Sequence, residues 1–169
     1  MPDLEVLENP KTNLASEIFT SDGKTLAKYY FNDNRTPVTF DELPTHLVDA
    51  LIATEDIRFY SHSGIDFKRT FGAALKFGKD GGGSTITQQL AKLLFTGEGS
   101  KDIIERLTQK FKEYIIAVRL ERNYTKEEII TQYLNLYDFG NNGDGIRSAA
   151  RIYFGKEPID LDINESAIL

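Results

Sequence analysis

Two adjacent carboxylates, Glu55 and Asp56, stand at the start of the stretch ATEDIRFYSHSGIDF (53–67). The apolar residues that follow Pro44 recur at helical spacing, which predicts a helix that ends at these two acids. An anion is unfavourable at the C-terminal end of a helix because the macrodipole is negative there. Breaches of local rules concentrate at functional sites. Proton transfer by one of these acids is one interpretation, and a solvent-facing helix end with Phe59 packed beneath it is the other.

A second carboxylate that could do chemistry is Glu113, on the longest predicted helix (103–122). Ile116 and Leu120 form an apolar stripe beside it, which predicts a partly covered position. A half-buried carboxylate with a basic neighbour such as Lys110 is a candidate catalytic or ligand-orienting group. A structural ion pair with Lys110 is the alternative. The main apolar face of this helix is predicted to comprise Ile104, Leu107, Phe111, Tyr114, Ile115 and Val118.

The segment GGGSTITQQLAK (81–92) combines backbone freedom with hydroxyl groups and predicts a helix start with free N–H groups. Thr85 and Gln88 fit a capping box, and Gln88 and Lys92 lie one turn apart. Such a segment can hold an anion such as a phosphate. The lysine–serine or lysine–threonine pair of a Walker loop is absent. A flexible loop before a well-capped helix is the alternative.

The composition agrees with a local anionic ligand but not with general nucleic-acid binding. The net charge of the 169 residues is −6. Residues 58–122 contain 12 lysines and arginines and 7 aspartates and glutamates, a net charge of +5, while the rest of the chain carries −11. The sequence has no cysteine, which excludes disulfides and thiolate metal sites. The sequence contains no run of 18 or more apolar residues, which is the length needed to span a bilayer.

The elements that must position these groups are mainly helical. Two short strands are predicted around Ser21-Asp22-Gly23-Lys24, because Asp-Gly favours tight hairpin turns. Helices are predicted from Pro44 to the acids, over 67–77, from Ser84 to Phe95, over 103–122, from a Thr125–Glu128 capping box, and over 146–154. Ser100 or Asp102 is the expected cap of the long helix. The expectation is therefore a mainly α domain over residues 15–169, after an irregular segment 1–14, with a C-terminus that is cut off within a helix.

Four stretches in the right order resemble the signatures of peptidoglycan glycosyltransferases of family 51, the transglycosylase domain of class A penicillin-binding proteins. ATEDIRFYSHSGIDF resembles E-D-x-x-F-x-x-H-x-G, and GGGSTITQQLAKLLF resembles G-G-S-T-I-T-Q-Q-L-x-K. Residues 109–113, QKFKE, resemble R-K-x-x-E, with Gln109 in place of the usual arginine. ERNYTKEEIITQYLNLYDFG resembles the fourth signature, which is built around a tyrosine-leucine-asparagine step that contains Asn135. The resemblance covers about Ala15 to Leu169.

The resemblance implies a lysozyme-like, mostly helical fold and the polymerisation of lipid II with inversion. Glu55 matches the general base that takes the proton of the acceptor hydroxyl, and Glu113 matches a second catalytic carboxylate that assists departure of the pyrophosphate. A group of residues matches positions that bind the donor and its pyrophosphate: Asp56, Ser84, Thr85, Gln88, Gln89, Lys92, Lys110 and Arg119. Phe59, His62, Gly64 and Asn135 are expected to shape the structure near the site.

The resemblance further implies that Glu113 can act through a divalent cation, Mg²⁺ or Mn²⁺, with no organic cofactor. The expected partners are lipid II, the nascent glycan strand, membrane lipid and other cell-wall synthesis proteins, without nucleic acid. The expected location is the extracytoplasmic face of a bacterial inner membrane, with the anchor outside this chain. Two alternatives stay open: a lysozyme-like hydrolase or lytic transglycosylase, and a catalytically silent glycan- or lipid-binding module.

Overall fold

The structure is a computed structural model that describes residues 16–29, 35–75, 83–97 and 102–169. The described residues contain two strands, seven α-helices and several short helical turns. They fall into two compact units, one formed by Leu51–Tyr133 and one that combines the chain up to Ala50 with Leu134–Leu169. The mainly α fold with an N-terminal hairpin is confirmed. The predicted irregular segment 1–14 lies outside the described residues.

The unit that contains both ends of the chain begins with the hairpin. β1 (Ser16–Phe19) pairs antiparallel with β2 (Thr25–Tyr29), and Gly23 in the turn between them has φ +80°. The first turns of α1 (Thr45–Glu55), α6 (Ile146–Phe154) and α7 (Ile163–Ile168) complete it. Their apolar side chains form a core of Val38, Leu43, Leu47, Val48, Leu134, Ile146, Ala149, Ala150 and Leu161.

The unit formed by Leu51–Tyr133 holds the end of α1, α2 (Phe67–Leu75), α3 (Ile86–Ala91), α4 (Ile103–Asn123) and most of α5 (Lys126–Leu136). α3 packs against α4. Its buried core comprises Phe59, Ile86, Leu90, Ala91, Ile116, Ala117, Leu120, Ile129, Ile130 and Tyr133. The predicted helix to Phe95 is α-helical only to Ala91 and widens to a π-helical turn over Lys92–Thr96. Of the helix predicted over 67–77, the last two residues lie outside the described residues.

Local capping fixes where these helices begin, as the sequence predicted. The Thr85–Gln88 capping box opens α3, and Asp102 caps α4 by accepting hydrogen bonds from Ile104 N–H and Glu105 N–H. Thr125 and Glu128 bond reciprocally at the start of α5. The other candidate cap of α4, at position 100, lies outside the described residues.

The main apolar face of α4 is not its buried face. Ile104, Leu107, Phe111 and Ile115 are between 48% and 76% exposed. The buried side chains are those of the second stripe, Glu113, Ile116, Ala117 and Leu120. A periodic pattern identifies apolar faces, but the tertiary partner decides which face is covered. The consequence is that Glu113 is more deeply buried than the sequence indicated.

Within the described parts of the chain, every helix is too short or too polar to cross a bilayer.

Candidate active site

Asp56 is the buried centre of the site. It is 1% exposed, and its carboxylate accepts hydrogen bonds from His62 Nε2 at 3.0 Å and from the Ile86 N–H at 3.2 Å. The second bond ties the end of α1 to the first turn of α3. Asp56 was predicted to bind substrate; in this structure its carboxylate is buried and bonded to two protein donors, and substrate binding stays a prediction. Its role in this structure is to position its neighbours.

Glu55, one residue earlier, is half-buried and points its carboxylate at α3. Its Oε2 accepts a hydrogen bond from Gln89 Nε2 at 2.7 Å, and Gln89 Oε1 accepts one from the Tyr133 hydroxyl at 3.1 Å. The Tyr133 hydroxyl thereby fixes which end of the Gln89 amide faces Glu55. Oε1 of Glu55 accepts no hydrogen bond from the residues that the structure describes, so it can accept a proton from an incoming hydroxyl.

The second carboxylate approaches the same segment from α4. Glu113 is 6% exposed, and its Oε2 lies 2.7 Å from Lys110 Nζ, which also donates to Ser84 Oγ at 2.7 Å. Lys110 is itself 38% exposed and can therefore meet a ligand. Glu55 and Glu113 thus converge on residues 84–89, since one contacts Gln89 and the other reaches Ser84 through Lys110.

Three of the N–H groups at the start of α3, which the sequence indicated would be free, donate hydrogen bonds within the protein. Thr85 N–H donates to Gln88 Oε1, Ile86 N–H donates to Asp56, and Gln88 N–H donates to Thr85 Oγ1. Thr85 and Gln88 are also fully buried. In this structure both side chains cap the helix, and their predicted part in binding the donor stays a prediction. The lysine on α4 is the better candidate for an anion.

The loop after Asp56 fits closely against α4 because residue 64 is glycine. Gly64 has φ +90°, and a Cβ placed on it would lie 2.8 Å from the Ala117 carbonyl oxygen. Its own carbonyl accepts a hydrogen bond from Thr85 Oγ1 at 2.7 Å. Phe59 is fully buried in the same loop. These residues shape the backbone that carries Asp56 and His62.

Two predicted ligand-binding cations, Lys92 and Arg119, have no ion-pair partner among the described residues. Lys92 is exposed at the junction of α3 and the π-helical turn, and Arg119 is half-buried on α4. Asn135 belongs to the other unit, where it exchanges two hydrogen bonds of 2.9 Å with the backbone of Val38. Its role is to lock Val38 in place.

Sequence reasoning missed several residues that hold this site together. Arg69 donates to the backbone carbonyl of Glu55, and Tyr133 orients Gln89. Glu121 and Lys126 pair at 2.8 Å beneath the loop that carries His62. Arg69, Glu121 and Lys126 are ordinary charged helix residues in the sequence, so no spacing signal distinguished them.

The divalent cation expected at Glu113 stays a prediction. Among the described residues, no three His, Asp or Glu side chains lie close enough together to hold a metal ion. The carboxylate of Glu113 is already paired with Lys110. No chemical step is therefore routed through a metal ion at this position.

Comparison with known proteins shows the family to which the chain belongs. The family model described as Transglycosylase matches residues 22–169. The chain is 38% identical over a 174-residue alignment to penicillin-binding protein 1A of Escherichia coli (strain K12), which covers 100% of this chain and 20% of that protein. It is 43% identical over 159 residues to penicillin-binding protein 1F of Bacillus subtilis (strain 168), covering 92% and 21%. It thus spans about a fifth of the length of these curated relatives. The family match and the geometry together place this chain in the transglycosylase family.

Proposed function

We propose that this chain is a peptidoglycan glycosyltransferase that polymerises lipid II into β-1,4-linked glycan strands and releases undecaprenyl pyrophosphate. The proposal rests on membership of the transglycosylase family. The observation that carries it is the convergence of Glu55 and the Lys110–Glu113 pair on residues 84–89. A base that can take a proton and a cation that can meet a phosphate are the two groups that this transfer needs.

In this proposal Glu55 is the general base. Its Oε1 takes the proton of the acceptor's 4-hydroxyl as that oxygen attacks C1 of the donor sugar. The bond between C1 and the pyrophosphate oxygen breaks on the opposite face, and the configuration inverts. The Gln89 amide holds the carboxylate without neutralising it, because an amide is a neutral donor. General-base assistance of this kind contributes about 10²–10⁴-fold.

Lys110 is the group that stabilises the leaving pyrophosphate. Departure concentrates negative charge on phosphate oxygens, and a fixed cation lowers that barrier. Glu113 and Ser84 orient the ammonium group from two sides at 2.7 Å each, so the cation does not have to be organised during the reaction. Lys92 and Arg119 supply further positive charge along α3 and α4.

The proposed location is the extracytoplasmic face of the bacterial inner membrane, where lipid II is the donor and acceptor and other cell-wall synthesis proteins are partners. The exposed apolar side chains of α4 support contact with membrane lipid, because Ile104, Leu107, Phe111 and Ile115 form a stripe on one face of a helix. Lys112 lies exposed on the same helix and can meet lipid phosphates.

The test incubates the intact protein with labelled lipid II and compares the wild type with Glu55→Gln. A glutamine at position 55 can still accept the hydrogen bond of Gln89, so the fold is expected to persist. We expect polymerisation to fall by about 10²–10⁴-fold. Glu127→Gln, an exposed glutamate on α5, is the matched control and should keep wild-type activity.

Three outcomes separate the candidate functions. Glycan polymer that depends on Glu55 supports the proposal. Cleavage of preformed glycan without use of lipid II would identify a hydrolase or lytic transglycosylase. Binding of lipid II without turnover would identify a silent module, and undiminished polymerisation by Glu55→Gln would overturn the assignment of the base.

A further inference from the structure

A charged cluster that the mechanism does not use lies directly beneath the loop of residues 57–66. Lys126, the first residue of α5, donates from Nζ to the His62 carbonyl and to Glu121 Oε1, both at 2.8 Å. The same ammonium lies 4.1 Å from the centre of the buried Phe59 ring. The Lys126 side chain is 22% exposed and that of Glu121 is 6% exposed. A cation that contacts a carbonyl, a carboxylate and an aromatic face in a largely dry position fixes all three.

Glu121 extends the cluster to α3. Its Oε1 also accepts a hydrogen bond from Thr87 Oγ1 at 2.6 Å, and Thr87 is fully buried. Thr87 lies two residues before Gln89, the donor to Glu55. Lys126 therefore acts on α3 through Glu121 and on the loop through His62.

Both connections lead to Glu55. His62 Nε2 bonds the carboxylate of Asp56, the residue after Glu55, and Asp56 accepts the Ile86 N–H of α3. Gln89, one turn further along α3, donates to Glu55. Lys126, His62 and Asp56 thus form one arm of a closed ring of contacts, and Glu121, Thr87 and α3 form the other arm.

The His62 ring depends on these contacts for its position. Its Nδ1 is buried and has no hydrogen-bond partner among the described residues. A hydrogen on Nδ1 would be left unpaired, so the geometry assigns the bonded ring hydrogen to Nε2, which donates to Asp56. The ring is then held by that bond and by its own backbone, whose carbonyl accepts a hydrogen bond from Lys126.

We propose that Lys126 is a positioning residue for transglycosylation: it sets the place of Glu55 by fixing the His62–Asp56 loop and, through Glu121 and Thr87, the helix that carries Gln89. This inference rests on the proposed function for its catalytic consequence. Lys126 touches neither the sugar nor the pyrophosphate in this account. Its removal is expected to displace the base and to leave the cations of α4, Lys110 and Arg119, in place.

The kinetic test compares Lys126→Met with Lys126→Arg in the intact protein, with labelled lipid II, at a temperature where both variants are folded. Lys126→Met should lower kcat by about 10- to 100-fold with KM within about 2-fold of wild type, because misplacement of a catalytic group costs rate rather than binding. Lys126→Arg keeps a charged donor and should restore kcat to within about 3-fold. Lys156→Met, which removes a similar lysine–glutamate pair with Glu165 in the other unit, is the control and should keep the wild-type kcat.

A second measurement does not depend on activity. In protein labelled with ¹⁵N-histidine, with the His62 signal assigned by a His62→Gln variant, Lys126→Met should shift the His62 ring nitrogens and speed exchange of the Nε2 proton. The His46 signal, from the other unit, should not move. If the wild type fails to polymerise lipid II, the proposed function falls, while the His62 signal still tests the positioning role.

The outcomes are decisive in both directions. Glu121→Gln is a milder second variant that tests the same proposal if Lys126→Met does not fold. It should lower kcat by about 3- to 10-fold and shift the His62 signal. The proposal is overturned by a wild-type kcat in the folded variants, by a loss that falls entirely on KM, or by an unchanged His62 signal.

Discussion

Gly64→Ala tests whether close approach of the loop to α4 shapes the site. Gly64 has φ +90°, and its added Cβ would meet the Ala117 carbonyl oxygen at 2.8 Å and the carbonyl carbon at 2.9 Å. Both atoms belong to the backbone of the longest helix and cannot rotate away. The loop must therefore move, and it carries the carbonyl that accepts the Thr85 hydroxyl.

The expected cost has two parts. Placing an L-residue at positive φ costs about 1–2 kcal/mol. Overpacking against a rigid neighbour adds about 1–3 kcal/mol. Gly155→Ala separates the two, because Gly155 has φ +66° but no atom lies within 4 Å of an added Cβ. We expect Gly64→Ala to lower the free energy of unfolding by about 2–5 kcal/mol and Gly155→Ala by about 1–2 kcal/mol.

Urea denaturation followed by circular dichroism measures both variants, and turnover of lipid II is measured on whatever folded fraction remains. Gly64→Ala should also lower turnover of the folded protein, since the loop holds Asp56 through His62. Equal losses of stability in the two variants would refute the reasoning, because the contact with Ala117 would then contribute nothing. Full activity of folded Gly64→Ala would show that the loop position does not matter to the reaction.

Two further predictions concern charged groups of the same unit. Lys110→Met removes the cation that pairs with the buried Glu113. Removal of one partner from a fully buried pair lowers the free energy of unfolding by about 3–5 kcal/mol, and the 38% exposure of Lys110 reduces this loss to about 1–3 kcal/mol. The control Lys112→Met, at an exposed position, should lower the free energy of unfolding by less than about 0.5 kcal/mol. Urea titration of both variants checks this, and equal costs would contradict it. Burial raises the pKa of Asp66, but the Arg69 N–H and the Arg58 guanidinium outweigh that effect and hold the pKa below its ordinary value of 3.8. Since the folded-state pKa is the lower one, Asp66 stabilises the fold above pH 3.8 and this contribution is lost as the pH falls below it. Asp66→Asn should therefore flatten the acid limb of the free energy of unfolding plotted against pH, and an unchanged limb in this variant would count against the assignment.

The helices and their starts could be predicted from the sequence because their causes are local. The capping boxes at Thr85 and Thr125 and the Asp102 cap depend on residues within one turn, and each is present in the structure. The hairpin turn at Gly23 is equally local. The four family motifs, in their order along the chain, also identified the sequence segments that contact one another around Glu55.

The packing of these segments could not be predicted, because it depends on partners distant in the chain. The long helix has two apolar stripes, and only contact with α3 decides that the stripe next to Glu113 is the covered one. The same limit applies to the start of α3. The sequence indicated that its N–H groups are available to an anion, but Asp56, thirty residues earlier in the chain, accepts a hydrogen bond from one of them.

Glu55 lies at the C-terminal end of a helix, where its negative charge is unfavourable. The hydrogen bonds of its backbone carbonyl and of its carboxylate explain how the fold accommodates it. The cation nearby, Arg69, donates to the backbone carbonyl of Glu55, which supplies positive charge at the negative end of α1. The carboxylate receives instead the neutral amide of Gln89. The fold thereby stabilises the helix end and leaves Oε1 of Glu55 without a hydrogen bond from the described residues, as the proposed role of general base requires.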